Sequence, residues 1–67
     1  MTTAFRERYP GPWTIEEFGE SVRVIARDGT VLAYIYFEEQ PTRRALTNRV
    51  TLAEARALAK AIAGLAG

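Results

Sequence analysis

Val22-Arg23-Val24-Ile25-Ala26-Arg27-Asp28-Gly29-Thr30-Val31-Leu32-Ala33-Tyr34-Ile35-Tyr36-Phe37 is an alternating run broken once, at Asp28-Gly29. It reads as two β-strands joined by a two-residue turn. A type I′ turn needs positive φ at both central residues, which Gly adopts freely and Asp tolerates. Such a turn sets Arg27 opposite Thr30, and therefore Ala26 opposite Val31, Val24 opposite Ala33 and Val22 opposite Ile35. Alternate residues of a strand point to opposite faces. One face then carries Val22, Val24, Ala26, Val31, Ala33, Ile35 and Phe37 and is apolar throughout. The other carries Arg23, Ile25, Arg27, Thr30, Leu32, Tyr34, Tyr36 and Glu38, a mixed and aromatic set.

An apolar sheet face must be covered, and the C-terminal third supplies the cover. Thr51-Leu52-Ala53-Glu54 has the form of a capping box, with Thr51 and Glu54 each satisfying the other's backbone N–H. The Glu54 carboxylate also suits the positive end of the helix dipole. Ala-rich sequence carries the helix to about Ala63, with Gly64 placed to end it at C′. Leu52, Ala55, Leu58, Ala59, Ile62 and Leu65 or Ala66 fall at helical spacing and form one stripe. Arg56 and Lys60 fall outside it, toward solvent. On this reading Leu58→Ala costs about 2–5 kcal/mol. Ala53, Ala57 and Ala61 form a strip of small residues that another helix could approach, although high helix propensity is the plainer explanation.

Between hairpin and helix, Pro41 lacks the N–H to continue a ladder and closes the strand after Glu38-Glu39-Gln40. Thr42 to Val50 reads as a polar connector with room for one helical turn around Arg43-Arg44-Ala45-Leu46, Leu46 anchoring it to the core. On the N-terminal side, Trp13-Thr14-Ile15-Glu16-Glu17-Phe18 reads as a short edge strand with charges that discourage pairing. Thr14 and Glu17 also fit a capping box, but Gly19 to Ser21 can turn a strand antiparallel onto the next. Trp13 is expected as a lid on the core. Tyr9-Pro10-Gly11-Pro12 is a cluster of breakers. Residues 1–11 are thus expected as a flexible arm, with Phe5 and Tyr9 loose on the surface or folded over the mixed face, and residues 12–67 as a single small α+β domain. The expected fold is a three-stranded antiparallel sheet on one C-terminal helix, βββα, in two layers.

The chain has 67 residues, no Cys and no His. A domain of this size buries only about 60% of the surface its unfolded chain exposes. Disulfides are excluded, and with them most zinc chemistry, which leaves self-association as the remaining way to add stability. No apolar run is long enough for a signal segment or a membrane span, so a soluble cytoplasmic protein is expected. The net charge is +1, unevenly spread. Residues 1–39 hold Arg6, Arg8, Arg23 and Arg27 against seven acids, a balance of −3. Residues 40–67 hold Arg43, Arg44, Arg49, Arg56 and Lys60 against Glu54, a balance of +4. Such a split suits an anionic partner, or attraction between copies.

Catalytic constellations are missing. Neither a Ser-His-Asp triad nor a Cys-His pair can be assembled. Glu16-Glu17 and Glu38-Glu39 are neighbours whose side chains diverge along a strand. There is no Gly-rich phosphate loop or metal-ligand spacing, so no enzyme, cofactor or metal is expected. The mixed face is the best functional signal. One helix covers one face only, which leaves Arg23, Ile25, Leu32, Tyr34 and Tyr36 as an interaction face of the kind that meets a protein or a second copy. Arg23, opposite Tyr34, is placed to stack on an aromatic ring. The alternative is a nucleic-acid contact through Arg23, Arg27, Arg43, Arg44 and Arg49, with the sheet in a major groove. The near-neutral charge and the apolar content of the face weigh against it.

Pro12-Trp13, Asp28-Gly29, the run from Leu32 to Glu38, Arg43-Arg44, and Thr51 with Glu54-Ala55-Arg56 give the chain a further aspect. Over about residues 12–64 it resembles a group of short alphaproteobacterial proteins, common in rhizobia and their relatives, that have no assigned activity. The resemblance implies a small stand-alone bacterial protein and carries over no site residues.

Overall fold

The computed structural model describes residues 7–66. Three strands, β1 (Thr14–Phe18), β2 (Ser21–Ile25) and β3 (Val31–Tyr36), form an antiparallel sheet in the order β1-β2-β3. Two helices follow, α1 (Pro41–Thr47) and α2 (Leu52–Gly64). The architecture is the expected α+β sheet on a C-terminal helix, with one helix more than βββα.

Each hairpin closes differently. Gly19 alone has positive φ (59°) in the two-residue loop between Phe18 and Ser21, the pattern of a type II′ turn. The second hairpin does not use the expected type I′ turn. Asp28 keeps negative φ, because its carboxylate accepts the Thr30 N–H at 2.9 Å. Gly29, at φ 94°, donates to the Ala26 carbonyl, and the Ala26 N–H donates to Thr30. The loop is therefore three residues, a type I turn followed by a glycine in the left-handed region.

A loop one residue longer shifts the register by one, which by itself would turn every following side chain to the wrong face. A bulge restores it. Ile25 pairs with Val31 while Val24 pairs with Ala33, so Leu32 is the extra residue. Beyond it, Val24↔Ala33, Arg23↔Tyr34 and Val22↔Ile35 stand as expected. Before it, two residues exchange roles: Leu32 packs against the core, and Val31 sits opposite Ile25 instead.

The core lies between the sheet and α2. Trp13, Val22, Val24, Ala26, Ala55 and Ala59 are buried, with Leu32, Ala33, Ile35, Phe37, Val50, Leu52, Ile62, Ala63 and Ala66 packed around them. Ala55 and Ala59 mark the line where the helix backbone comes nearest the sheet, over Val22 and Val24, all four fully buried. Helical periodicity identifies a stripe, but size decides its centre: only small residues fit where helix and sheet are closest. Leu58 is displaced to the margin, 47% exposed. The cost expected for Leu58→Ala accordingly drops to about 1 kcal/mol.

The capping box of α2 is present, with Thr51 Oγ1 accepting from Glu54 at 3.1 Å and Glu54 accepting from Thr51 at 2.9 Å. Glu39 adds a third acceptor there, for the Leu52 N–H at 2.6 Å. Gly64 is the last helical residue and not a left-handed C′ residue; the cap is Leu65 in right-handed geometry. The connector is more ordered than expected. Pro41 at the first turn and Asn48 in left-handed conformation (φ 55°) bound α1, as helix-end preferences allow. Yet α1 lies apart from the strands and α2, and it buries no residue. Leu46, expected to anchor it, is 80% exposed.

Tyr9 packs on the core, and its carbonyl accepts the Trp13 indole N–H at 2.7 Å. Arg27 donates to the Gly11 carbonyl. Residues 9–11, expected in a loose arm, are thus held at the end of the core and away from the mixed face; Phe5 lies outside the described residues. Among the described residues no helix is long and apolar enough to cross a membrane.

Candidate interaction surface

With α2 on one side of the sheet, the other side is built from alternate residues of all three strands. Register places Glu16 and Phe18 of β1 beside Arg23 and Ser21 of β2, and these beside Tyr34 and Tyr36 of β3. Of the five residues expected on this face, Arg23, Ile25, Tyr34 and Tyr36 are there. Leu32 is not, because the bulge turns it to the core.

Tyr34 and Tyr36 are 54% and 51% exposed, and their rings stack with centroids 6.3 Å apart and planes at 17°. Arg23 crosses to the Phe18 ring, its guanidinium 4.4 Å from the centroid, and forms an ion pair with Glu16. The expected aromatic stacking is made, on Phe18. The Arg23 Nε is buried without a hydrogen-bond partner, so Glu16 and the ring hold this guanidinium. On the far side Arg49 lies 5.1 Å from the Tyr36 centroid and 3.4 Å from the Glu20 carboxylate. Two arginines thus flank three exposed aromatic rings, and each already has a carboxylate. Such cation–π contacts are worth about 0.5–1 kcal/mol at exposed sites.

Phe18 and Arg49 also belong to this surface; the sequence did not single out Phe18, and it offered Arg49 only as a nucleic-acid contact. Phe18, 62% exposed, was legible in principle, because a two-residue turn at Gly19-Glu20 puts it beside Ser21. Arg49 had no such signal. It is positioned by left-handed Asn48 and by Val50, which bridges in parallel to Phe37 and accepts the Glu38 N–H at 2.9 Å. Between this segment and β3 lies an open groove of about 440 Å³, lined by Tyr34, Ile35, Tyr36 and residues 47–50.

The five arginines considered for nucleic acid are not brought together. Arg23 and Arg49 are on the face, Arg27 is bonded to Gly11, Arg43 stands 3.8 Å from Glu38, and Arg44 donates to the Glu38 carbonyl at 3.1 Å. The charge asymmetry is met inside the chain. Arg43–Glu38, Arg49–Glu20 and Arg56–Glu17 (2.6 Å) each join a C-terminal cation to an N-terminal acid. Arg56, expected to face solvent freely, reaches the sheet, and its hydrogen bond holds the Glu17 carboxyl below the usual carboxylate range. Ala53 and Ala57 line a second hollow beside Ile15, under that ion pair.

Among the described residues no group of three His, Cys, Asp or Glu side chains is placed to hold a metal ion. Compared with protein-family models, curated proteins and solved structures, the chain matches none.

Proposed function

We propose that this is a non-enzymatic interaction module that binds a protein surface through the face presenting Phe18, Arg23, Ile25, Tyr34 and Tyr36. The observation that carries this reading is the stacked, half-exposed Tyr34–Tyr36 pair, which neither helix covers. Tyrosine and arginine are the residues that anchor protein interfaces, the ring supplying area and the polar tip keeping the unbound surface wet. Pre-pairing of Arg23 and Arg49 with acids suits the same role, because a partner need not neutralise them. A nucleic-acid reading has less support, since single-strand platforms pair stacked rings with a positive groove.

The test is a selection of displayed peptides and small domains against the folded chain, counter-screened with Tyr36→Glu. Binders should lose at least about tenfold in affinity to the variant, because a charge replaces a ring at the centre of the patch. They should also keep their affinity between about 50 and 200 mM salt, where a phosphate-contacting protein loses orders of magnitude. Binders indifferent to Tyr36→Glu, or a gel shift with random duplex that vanishes with salt, would reject this reading.

A further inference from the structure

We propose that α1 is a processing site: an arginine-directed protease cuts the bond between Arg43 and Arg44, and the cut frees α2 from the sheet. The inference uses the connector and not the sheet face, so it stands or falls apart from the binding reading.

Local structure makes α1 easy to open. It has seven residues, and a helix below about 12 residues is marginal in water without tertiary support. None is given: α1 lies apart from the strands and α2 and buries no residue. Its first turn is uncapped, because the Gln40 side chain bonds no backbone N–H there and no acid stands in that turn. What holds it is local, the Asn48 N–H on the Arg44 carbonyl and the Arg44 guanidinium on the Glu38 carbonyl at 3.1 Å. Such a segment opens while the rest of the fold stays closed, and proteases nick folded domains at exposed segments of this kind.

The other basic residues from position 9 onward are held in structure. Arg23 lies within β2, Arg27 sits in a loop closed by two backbone bonds and is tied to Gly11, and Arg49 adjoins the bridge of Val50 to Phe37. Arg56 and Lys60 lie in α2, which has its capping box and packs on the core. Within α1 the two arginines differ. The Arg43 side chain is 67% exposed, with one contact at 3.8 Å to the Glu38 carboxylate, whereas Arg44 is half-buried on the Glu38 carbonyl. Arg43 is therefore the side chain presented to the acidic specificity pocket of a trypsin-like enzyme. Hydrolysis adds one water across the peptide bond, leaving a carboxylate on Arg43 and an ammonium on Arg44.

The core spans the cut. Val22 and Val24 lie on one side of it, Ala55 and Ala59 on the other. Arg56–Glu17, Arg49–Glu20 and the Glu38 bond to Val50 cross it as well. In the intact chain the connector keeps α2 beside the sheet at high effective concentration; after the cut the same contacts form between two molecules. A domain this small has little stability in reserve. The halves therefore stay together when concentrated and separate on dilution, and the apolar sheet face loses its cover.

Limited digestion with trypsin, read by mass spectrometry over residues 9–66, tests the site. The Arg43–Arg44 bond should be cut first, at least about tenfold faster than any other bond in that span. Two substitutions at exposed positions separate local opening from global unfolding. Gln40→Asn adds the missing cap and should slow the cut about fivefold. Ala45→Gly weakens the helix and should speed it about fivefold. Neither should move the midpoint of a denaturant melt. A first cut elsewhere in that span, or rates indifferent to both substitutions, overturns the site. For the release, the cut chain is followed by circular dichroism through a dilution series. Its helical signal should fall on dilution while that of the uncut chain stays constant, and a signal independent of concentration overturns the release.

Discussion

The two outer strands flank the same β2, pair with it antiparallel and put one isoleucine each on the core face, yet they are treated in opposite ways. β1 is exposed along its whole length, carries two glutamates and is tied down by its surroundings: Trp13 at its start, Arg23 from one side of the sheet and Arg56 from the other. β3 has no charge, has several half-buried residues and offers its rings and open edge outward. One edge is guarded by side chains; the other is left open apart from a bulge and Val50. A sheet this small keeps an unguarded edge at the risk of aggregation, which is why the difference points to use.

The largest effect should come from the anchor of β1. Trp13 is 7% exposed, and Trp13→Ala is expected to cost about 3–5 kcal/mol, read as a shift in a denaturant melt. A loss below 1 kcal/mol would mean that β1 holds itself in place. Next comes a matched pair. Ile35→Ala on β3 should cost about 2–3 kcal/mol and Ile15→Ala on β1, 39% exposed, about 1 kcal/mol. Equal costs would erase the contrast in packing. A smaller effect, on association and not stability, is expected from replacing Glu16 and Glu17 together with threonine. The variant should associate more than the wild-type chain by light scattering, because the β1 edge loses the charges that guard it.

The smallest effect is set by acid. Glu17 is held below the usual carboxylate range first by its hydrogen bond from Arg56, Asp28 by the Thr30 N–H, and Glu54 by the Thr51 N–H. A carboxylate with a lower value in the folded state than in the unfolded chain adds stability that is complete above the ordinary value and is lost as pH falls through the folded one. Thermal stability should therefore be flat from neutral pH to about 5 and decline below about 4. Exchange should quicken in β1 before β3, since β1 alone loses an ion pair to the helix. Glu17→Gln should remove that difference.

Most of the sheet was legible because burial enforces alternation: Val22, Val24, Ala33 and Ile35 could face only one way if a helix was to cover them. The capping box at Thr51 was legible because its chemistry is local. The hairpin loop was not, since Asp-Gly serves a type I′ turn and an Asp side-chain turn equally well, and only the carboxylate's bond to Thr30 decides between them. α1 was legible only as one turn around Arg43-Arg44-Ala45-Leu46, because it buries no residue and so its two turns leave no apolar periodicity. Of the candidate surface, Arg23, Ile25, Tyr34 and Tyr36 followed from register alone. Leu32 was misplaced by the bulge, and Arg49 depends on a left-handed Asn48 that sequence does not announce.

Leu32 has a consequence for solubility. Skipped by the pairing, it kinks the near half of β3, and such a kink is one of the devices that keep exposed strands from stacking into fibres. A chain lacking this single residue could keep Ile25 opposite Val31 and Val24 opposite Ala33 while gaining a straight ribbon from the loop to Tyr36. Even after losing some core packing, such a deletion should bind amyloid dyes and grow filaments under conditions where the parent chain does not.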